Sequence, residues 1–195
     1  MAESWLVAGL GNPGERYAET RHNAGAMVIQ TLCERFGTRP RKVRFVPVAA
    51  ADTTYQGTPL SLVLAAAYMN ESGPPLASFA RKRDIPVERV VIVHDDIDLA
   101  FGALRIKRGG GTAGHHGLDS IVQAFRSPDF YRVRLGVGRP PGRQDTVKFV
   151  LQPFAKREQA DAEVLVQDAA DATLSLVADG LERTQDRFNR SGPPA

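Results

Sequence analysis

The chain has 195 residues, 43% of them hydrophobic and 24% charged, with a formal net charge of +3. That size and balance fit one globular domain with a full core. No apolar run reaches the ~20 residues needed to cross a bilayer, and the start carries no secretory pattern, so a cytoplasmic protein is expected. The single cysteine, Cys33, excludes an intramolecular disulfide and any cysteine-cluster zinc site. The mild excess of base, mostly arginine, suits a polyanionic partner without requiring one.

In chain order, the first element is a buried strand over 5–10 that runs into Gly9-Leu10-Gly11-Asn12-Pro13-Gly14. Taken literally this run satisfies the dinucleotide pattern GxGxxG. Pro13, however, pushes Asn12 out of the helical region, and the next helical pattern starts only near Asn23. The helix N-terminus that would hold a pyrophosphate is therefore lacking, and no nucleotide cofactor is expected. Thr20-Arg21-His22-Asn23-Ala24-Gly25 follows. A helix is expected over 23–37, with Asn23 as N-cap and Val28, Leu32 and Phe36 along one face.

Strands are then expected over 43–49 and 60–64, with Gly57-Thr58-Pro59 in the turn between them. After Tyr68-Met69-Asn70-Glu71-Ser72-Gly73 comes a helix for which Ser72 is the cap. The apolar run over 90–93 has the character of a central strand, stopping at His94-Asp95-Asp96. A short strand over 104–108 leads into Gly109-Gly110-Gly111, and a helix over 117–125 gathers Leu118, Ile121, Val122 and Phe125. The segment 131–138 alternates, with Val133, Leu135 and Val137 on one face and Arg132 and Arg134 on the other. A long helix over 156–178 and a frayed tail over 191–195 complete the chain. Strand–helix alternation of this kind predicts a single α/β domain over 1–190, a twisted mixed and largely parallel sheet flanked by helices. In such sheets ligands gather at the carboxyl ends of the strands, where the loops after Leu10 and Val93 lie.

The chemistry concentrates in those loops. His22 is a candidate general base, its ordinary pKa lying near neutrality. A carboxylate from His94-Asp95-Asp96-Ile97-Asp98 would fix its tautomer and favour the imidazolium, whereas a helix start beside it favours neutral imidazole. Opposed influences of this kind keep a histidine available as a base. No HxH or HExxH spacing announces a metal site, and the adjacent rings of His115 and His116 point apart in any regular structure. Asn70 could offer an amide to a substrate carbonyl. The loop over 109–117 lacks the Gly-Lys-Ser/Thr of a nucleotide-binding loop, and its basic flanks, Arg105, Lys107 and Arg108, suit a mobile gate at an RNA end.

Taken together, Gly9–Gly14, Tyr17, Thr20–Gly25, Tyr68–Gly73, His94–Leu99, Gly109-Gly110-Gly111 with His115, and Arg132–Gly138 resemble the bacterial peptidyl-tRNA hydrolase family. The segments occur in family order. The resemblance implies a monomeric cytoplasmic enzyme without cofactor or metal, whose substrate is peptidyl-tRNA and which cleaves the ester joining a peptide or blocked amino acid to the 3′ ribose. It implies that His22 is the base that activates water, that Asp95 orients it, and that Asn12 positions water or substrate. Met69 and Asn70 then wall the peptide end, Tyr17 lies near the tRNA 3′ end, and Arg105 and Lys107 contact tRNA phosphates. Two positions depart from the family pattern: His116 stands where an asparagine touching substrate is usual, and Ala65-Ala66-Ala67 replaces a stretch that commonly carries lysine. The first departure keeps open an RNA-binding protein with weak or no hydrolysis on the same scaffold. A small-molecule esterase using the same base is a third reading, one that would not need the basic flanks.

Overall fold

In the computed structural model, which describes residues 3–189, strand β1 (Trp5–Gly9) is followed by two short 3-10 turns, Glu15–Tyr17 and Arg21–Asn23, and helix α1 (Ala24–Arg35). Strands β2 (Arg41–Lys42), β3 (Val48–Tyr55) and β4 (Thr58–Ala65) precede α2 (Gly73–Lys82), β5 (Val90–Asp96) and β6 (Leu104–Arg108). Helix α3 (His116–Phe125), β7 (Tyr131–Gly136), α4 (Thr146–Val150), α5 (Gln159–Asp179) and α6 (Leu181–Phe188) finish the order. The strands form one sheet in the order β2-β3-β4-β1-β5-β7-β6. β4, β1, β5 and β7 run parallel at its centre, while β2, β3 and β6 pair antiparallel at the margins. The expected mixed, largely parallel sheet is the one observed.

Alternation along β1 explains the two layers. Leu6 and Ala8 face a core shared with Leu76 and Phe79 of α2 and Leu118 and Ile121 of α3. Val7 faces the opposite core, against Val28 and Leu32 of α1 and Leu165, Ala169 and Leu176 of α5. All seven residues of β5 are buried, as the central position demands.

Several boundaries differ from the sequence reading. The strand expected over 43–49 starts only at Val48. Val43 to Pro47 form a tight turn, closed by Val43 N–H on the Val48 carbonyl (3.1 Å) and Val46 N–H on the Val43 carbonyl (3.3 Å). Its alternating apolar residues mimic a strand because Val46 is buried from within the turn. The β3–β4 hairpin turns at Gln56 and Gly57, both at positive φ (48° and 80°), so Thr58 and Pro59 belong to β4. Strand β5 does not stop at His94 but carries His94, Asp95 and Asp96 in register with β7. Arg132, on the face opposite Val133 and Leu135, is 1% exposed, and its guanidinium donates to the carbonyls of Gly110 and Gly111, both at 2.7 Å. Neither α4 nor α6 was expected. α6 lies against β6, where Asn189 Oδ1 accepts from Ile106 N–H (2.7 Å) and Gln185 Nε2 donates to the Ile106 carbonyl (2.8 Å). The tail expected over 191–195 lies outside the described residues.

Candidate active site

The site forms where β1, β4 and β5 end together. Glycine permits the closest approach. A Cβ on Gly25 would sit 2.1 Å from the Val93 carbonyl oxygen, and one on Gly9 would sit 2.2 Å from that of Gly25, so α1 starts with its backbone directly on the strand ends. Leu10 N–H bonds the Val93 carbonyl (2.9 Å) and Ala26 N–H the Leu10 carbonyl (3.0 Å). This packing brings the 3-10 turn holding His22 over the end of β5.

Asp95, 2% exposed, is the hub. His22 Nδ1 lies 2.9 and 3.0 Å from its two carboxylate oxygens, and His115 Nε2 lies 2.9 Å from Oδ1. Burial alone would raise the Asp95 carboxyl, but the charges and hydrogen bonds of His115 and His22 outweigh it and hold the group well below the usual carboxylate range. An ionised carboxylate only accepts, so both facing ring nitrogens carry hydrogen, and the neutral tautomer of His22 that this selects has its lone pair on Nε2. His115 is subject to opposing influences: burial lowers its proton affinity, while the charge and hydrogen bond of Asp95 raise it, with a net upward shift. Its Nδ1 meanwhile caps α3, accepting from Gly117 N–H (3.2 Å) and Leu118 N–H (3.4 Å). His94, fully enclosed beneath, is pushed down to about 3, first by burial and then by the charge of His115. Its Nδ1 bonds the Asp95 carbonyl at 2.7 Å.

Asn12 is fixed by two neighbours. Asn23 Oδ1 accepts Asn12 N–H and Asn23 Nδ2 donates to the Asn12 carbonyl, both at 2.9 Å. Asn23 therefore braces the glycine loop and makes no side-chain cap bond to α1, contrary to expectation. Asn12 Oδ1 accepts Met69 N–H at 2.8 Å, which assigns the other amide atom, Nδ2, as its donor. Ser72 likewise makes no cap bond; its hydroxyl donates to the Met69 carbonyl at 2.8 Å.

Asn12, His22, Met69, His94, Asp95 and His115 line a cavity of about 480 Å³ together with Asn70, His116 and an apolar wall of Ile97, Val147, Val150 and Leu151. Of the expected residues, the fold assembles Asn12, His22, Met69, Asn70, Asp95 and His116 around this one space. His116 stands at its exposed edge, Nδ1 3.9 Å from an Asp119 carboxylate oxygen. Tyr17, Arg105 and Lys107 do not line it. Tyr17 accepts a hydrogen bond from Arg16 and lies under its guanidinium, 4.4 Å from the ring centre. Arg105 and Lys107 pair with Arg134 and Arg132 across β6 and β7, giving a basic strip on the outer strand. Burial, with the charges of Arg134 and Arg132, lowers the Lys107 ammonium, and Arg134 is held by Asp96 at 2.9 Å.

Sequence reasoning gave His115 no separate role at the centre. It also argued against metal ligation from linear spacing, whereas His22, Asp95 and His115 present ligand atoms within 4.8 Å of one another. A 3-10 turn, strand β5 and the N-cap of α3 supply them, so no short motif could announce the cluster. Both imidazoles already donate to the carboxylate, so a metal would have to displace those hydrogens. The arrangement suits a neutral base beside an amide donor, the parts needed to add water to an acyl carbon.

The family model for peptidyl-tRNA hydrolase matches residues 6–194. A peptidyl-tRNA hydrolase of Kineococcus radiotolerans is 45% identical over 97% of this chain and 98% of its own. One from Frankia casuarinae is 46% identical over 95% and 93%. The crystal structure of peptidyl-tRNA hydrolase from Acinetobacter baumannii superposes with a TM-score of 0.91 at 31% identity, covering all of this chain and 98% of that one.

Proposed function

The chain belongs to the peptidyl-tRNA hydrolase family and hydrolyses peptidyl-tRNA, and we propose that His22 is the base of that reaction. His22 Nε2 takes a proton from water as its oxygen adds to the acyl carbon. Asp95 holds the ring through Nδ1 and stabilises the imidazolium that forms. Asn12 Nδ2 donates to the developing oxyanion, an interaction of about 2.7–4 kcal/mol. The tetrahedral intermediate then expels the 3′ ribose oxygen, which takes the proton back from His22.

Met69 and Asn70 hold the acyl end, and His116 hydrogen-bonds the RNA terminus at the cavity edge. Tyr17 lies along the approach of the tRNA 3′ end, while Arg105 and Lys107 contact phosphates. The enzyme works as a cytoplasmic monomer, one domain over 1–190, with no cofactor. The observation that carries the reading is the pairing of His22 Nδ1 with buried Asp95 at 2.9 Å on the wall of the cavity. RNA binding without hydrolysis leaves that pairing without a purpose.

The experiment is release of N-acetyl-aminoacyl groups from tRNA by wild type and His22→Ala, with unblocked aminoacyl-tRNA as control. The wild type is expected to cleave only the blocked substrate. The variant should lose about 10²–10⁴ in kcat with tRNA affinity kept; near-normal turnover would remove His22 from the role. For the basic strip, Arg105→Ala is expected to weaken all tRNAs alike and to lower the salt slope of binding.

A further inference from the structure

We propose that the turn around Phe45 is a second RNA contact, one that binds a single-stranded stretch of the substrate next to its 3′ end. The inference rests on the hydrolase reading and extends it to a surface across the sheet from Arg105 and Lys107. Phe45 is 85% exposed at a φ of 65°, a left-handed conformation that a bulky residue rarely adopts. The surroundings impose it: Val46 is buried in the core with Phe79, Ala80 and Ile85, so Phe45 is turned outward. An aromatic ring held against its backbone preference in open solvent has no folding purpose.

Its neighbours are basic. Arg39, Arg41, Lys42 and Arg44 are exposed, and the sequence holds no acidic residue between Phe36 and Ala51. Lys82, at the end of α2, adds to them by donating to the Arg44 carbonyl at 2.9 Å. The Arg44 guanidinium lies over the Phe45 ring, 4.5 Å from its centre. Cations around a presented aromatic face are the usual footprint for unpaired nucleotides, whose bases stack while the phosphates meet the charges.

Position favours the substrate's own RNA over an acidic protein. The turn sits at the strand ends that carry the cavity: the Pro47 carbonyl accepts Ala66 N–H at 2.8 Å, and the chain then enters the wall at Tyr68, Met69 and Asn70. RNA with its 3′ end in the cavity passes within reach of this turn.

The test compares wild type with Phe45→Gly and with the double variant Arg41→Glu/Arg44→Glu. Substrates are N-acetyl-aminoacyl-tRNA and the N-acetyl-aminoacyl ester of adenosine alone, which lacks further nucleotides. Glycine accepts the positive φ freely, so Phe45→Gly should keep or raise thermal stability. At least a fivefold rise in KM on tRNA is expected, with kcat and the adenosine ester unchanged. The charge variant should do the same and lower the salt slope of tRNA binding. A tRNA KM within twofold of wild type in both variants would overturn the proposal, as would an equal rise on both substrates. Wild type inactive on both would count against the hydrolase reading instead, and direct tRNA binding by the same variants would still decide the inference.

Discussion

Asn23 grips the backbone of Asn12 at both its N–H and its carbonyl, each at 2.9 Å. The side chain of Asn12 is then oriented by Met69 N–H on Oδ1. One asparagine thus aims another, and the donor left facing the cavity is Nδ2.

Asn12→Ala should therefore lower kcat about 10²–10³-fold, the usual loss for one oxyanion donor. KM should change little if the donor acts in the transition state. Asn23→Ala should reproduce part of that kcat loss although it is 4% exposed and forms no part of the cavity lining. Steady-state kinetics on both variants check the order.

Asp95→Asn should lower kcat by about 10²–10⁴. The amide would have to accept from two imidazole N–H groups with a single oxygen, so its NH2 would face a ring nitrogen and drive a tautomer change. Steady-state kinetics read this directly, as a fall in kcat with KM little changed.

His94 and His115 make stability depend on pH in opposite senses. The proton affinity of buried His94 is lowered to about 3 from an ordinary 6.5. Its contribution is fully present above pH 6.5 and is lost as pH falls toward 3, at roughly 1.4 kcal/mol per pH unit. His115 is raised above 6.5, so its contribution is present below that pH and declines as pH rises through the folded value. Urea unfolding from pH 4.5 to 8 should show a maximum near 6.5 from this pair. His94→Gln should flatten the acid side alone.

Gly25→Ala is expected to destabilise by about 3 kcal/mol, because its methyl would meet the Val93 carbonyl oxygen at 2.1 Å. Displacing α1 also displaces His22 from Asp95. Thermal melts and kcat should both fall, whereas Gly37→Ala, where a Cβ has open space at φ 61°, should touch stability only.

The parallel centre of the sheet was legible because β1 and the first four residues of β5, Val90 to Val93, are short apolar runs. The polar residues that follow those apolar runs advertised His22 and Asp95 through their types. The segment around Val43 misled because a buried valine inside a turn has the same spacing as one in a strand. Asn23 misled because its amide could serve a helix or a neighbouring loop, and only three-dimensional proximity decides. His115 gave no sign of its partner, since its link to Asp95 spans 20 residues between separate elements. Helix α6 offers only Leu181 and Phe188 to the core, and the amides of Gln185 and of Asn189 just past its end complete the join to β6.

That join sets the character of the outer strand. An unpaired strand margin invites any passing chain to add itself to the sheet. Here the margin is β6, the strand that carries Arg105 and Lys107, and Asn189 and Gln185 occupy the outward N–H and carbonyl of Ile106. At Ile106 an added strand would have to displace both amides before it could pair. The sheet's margin is thus sealed at Ile106 by amides of the same chain.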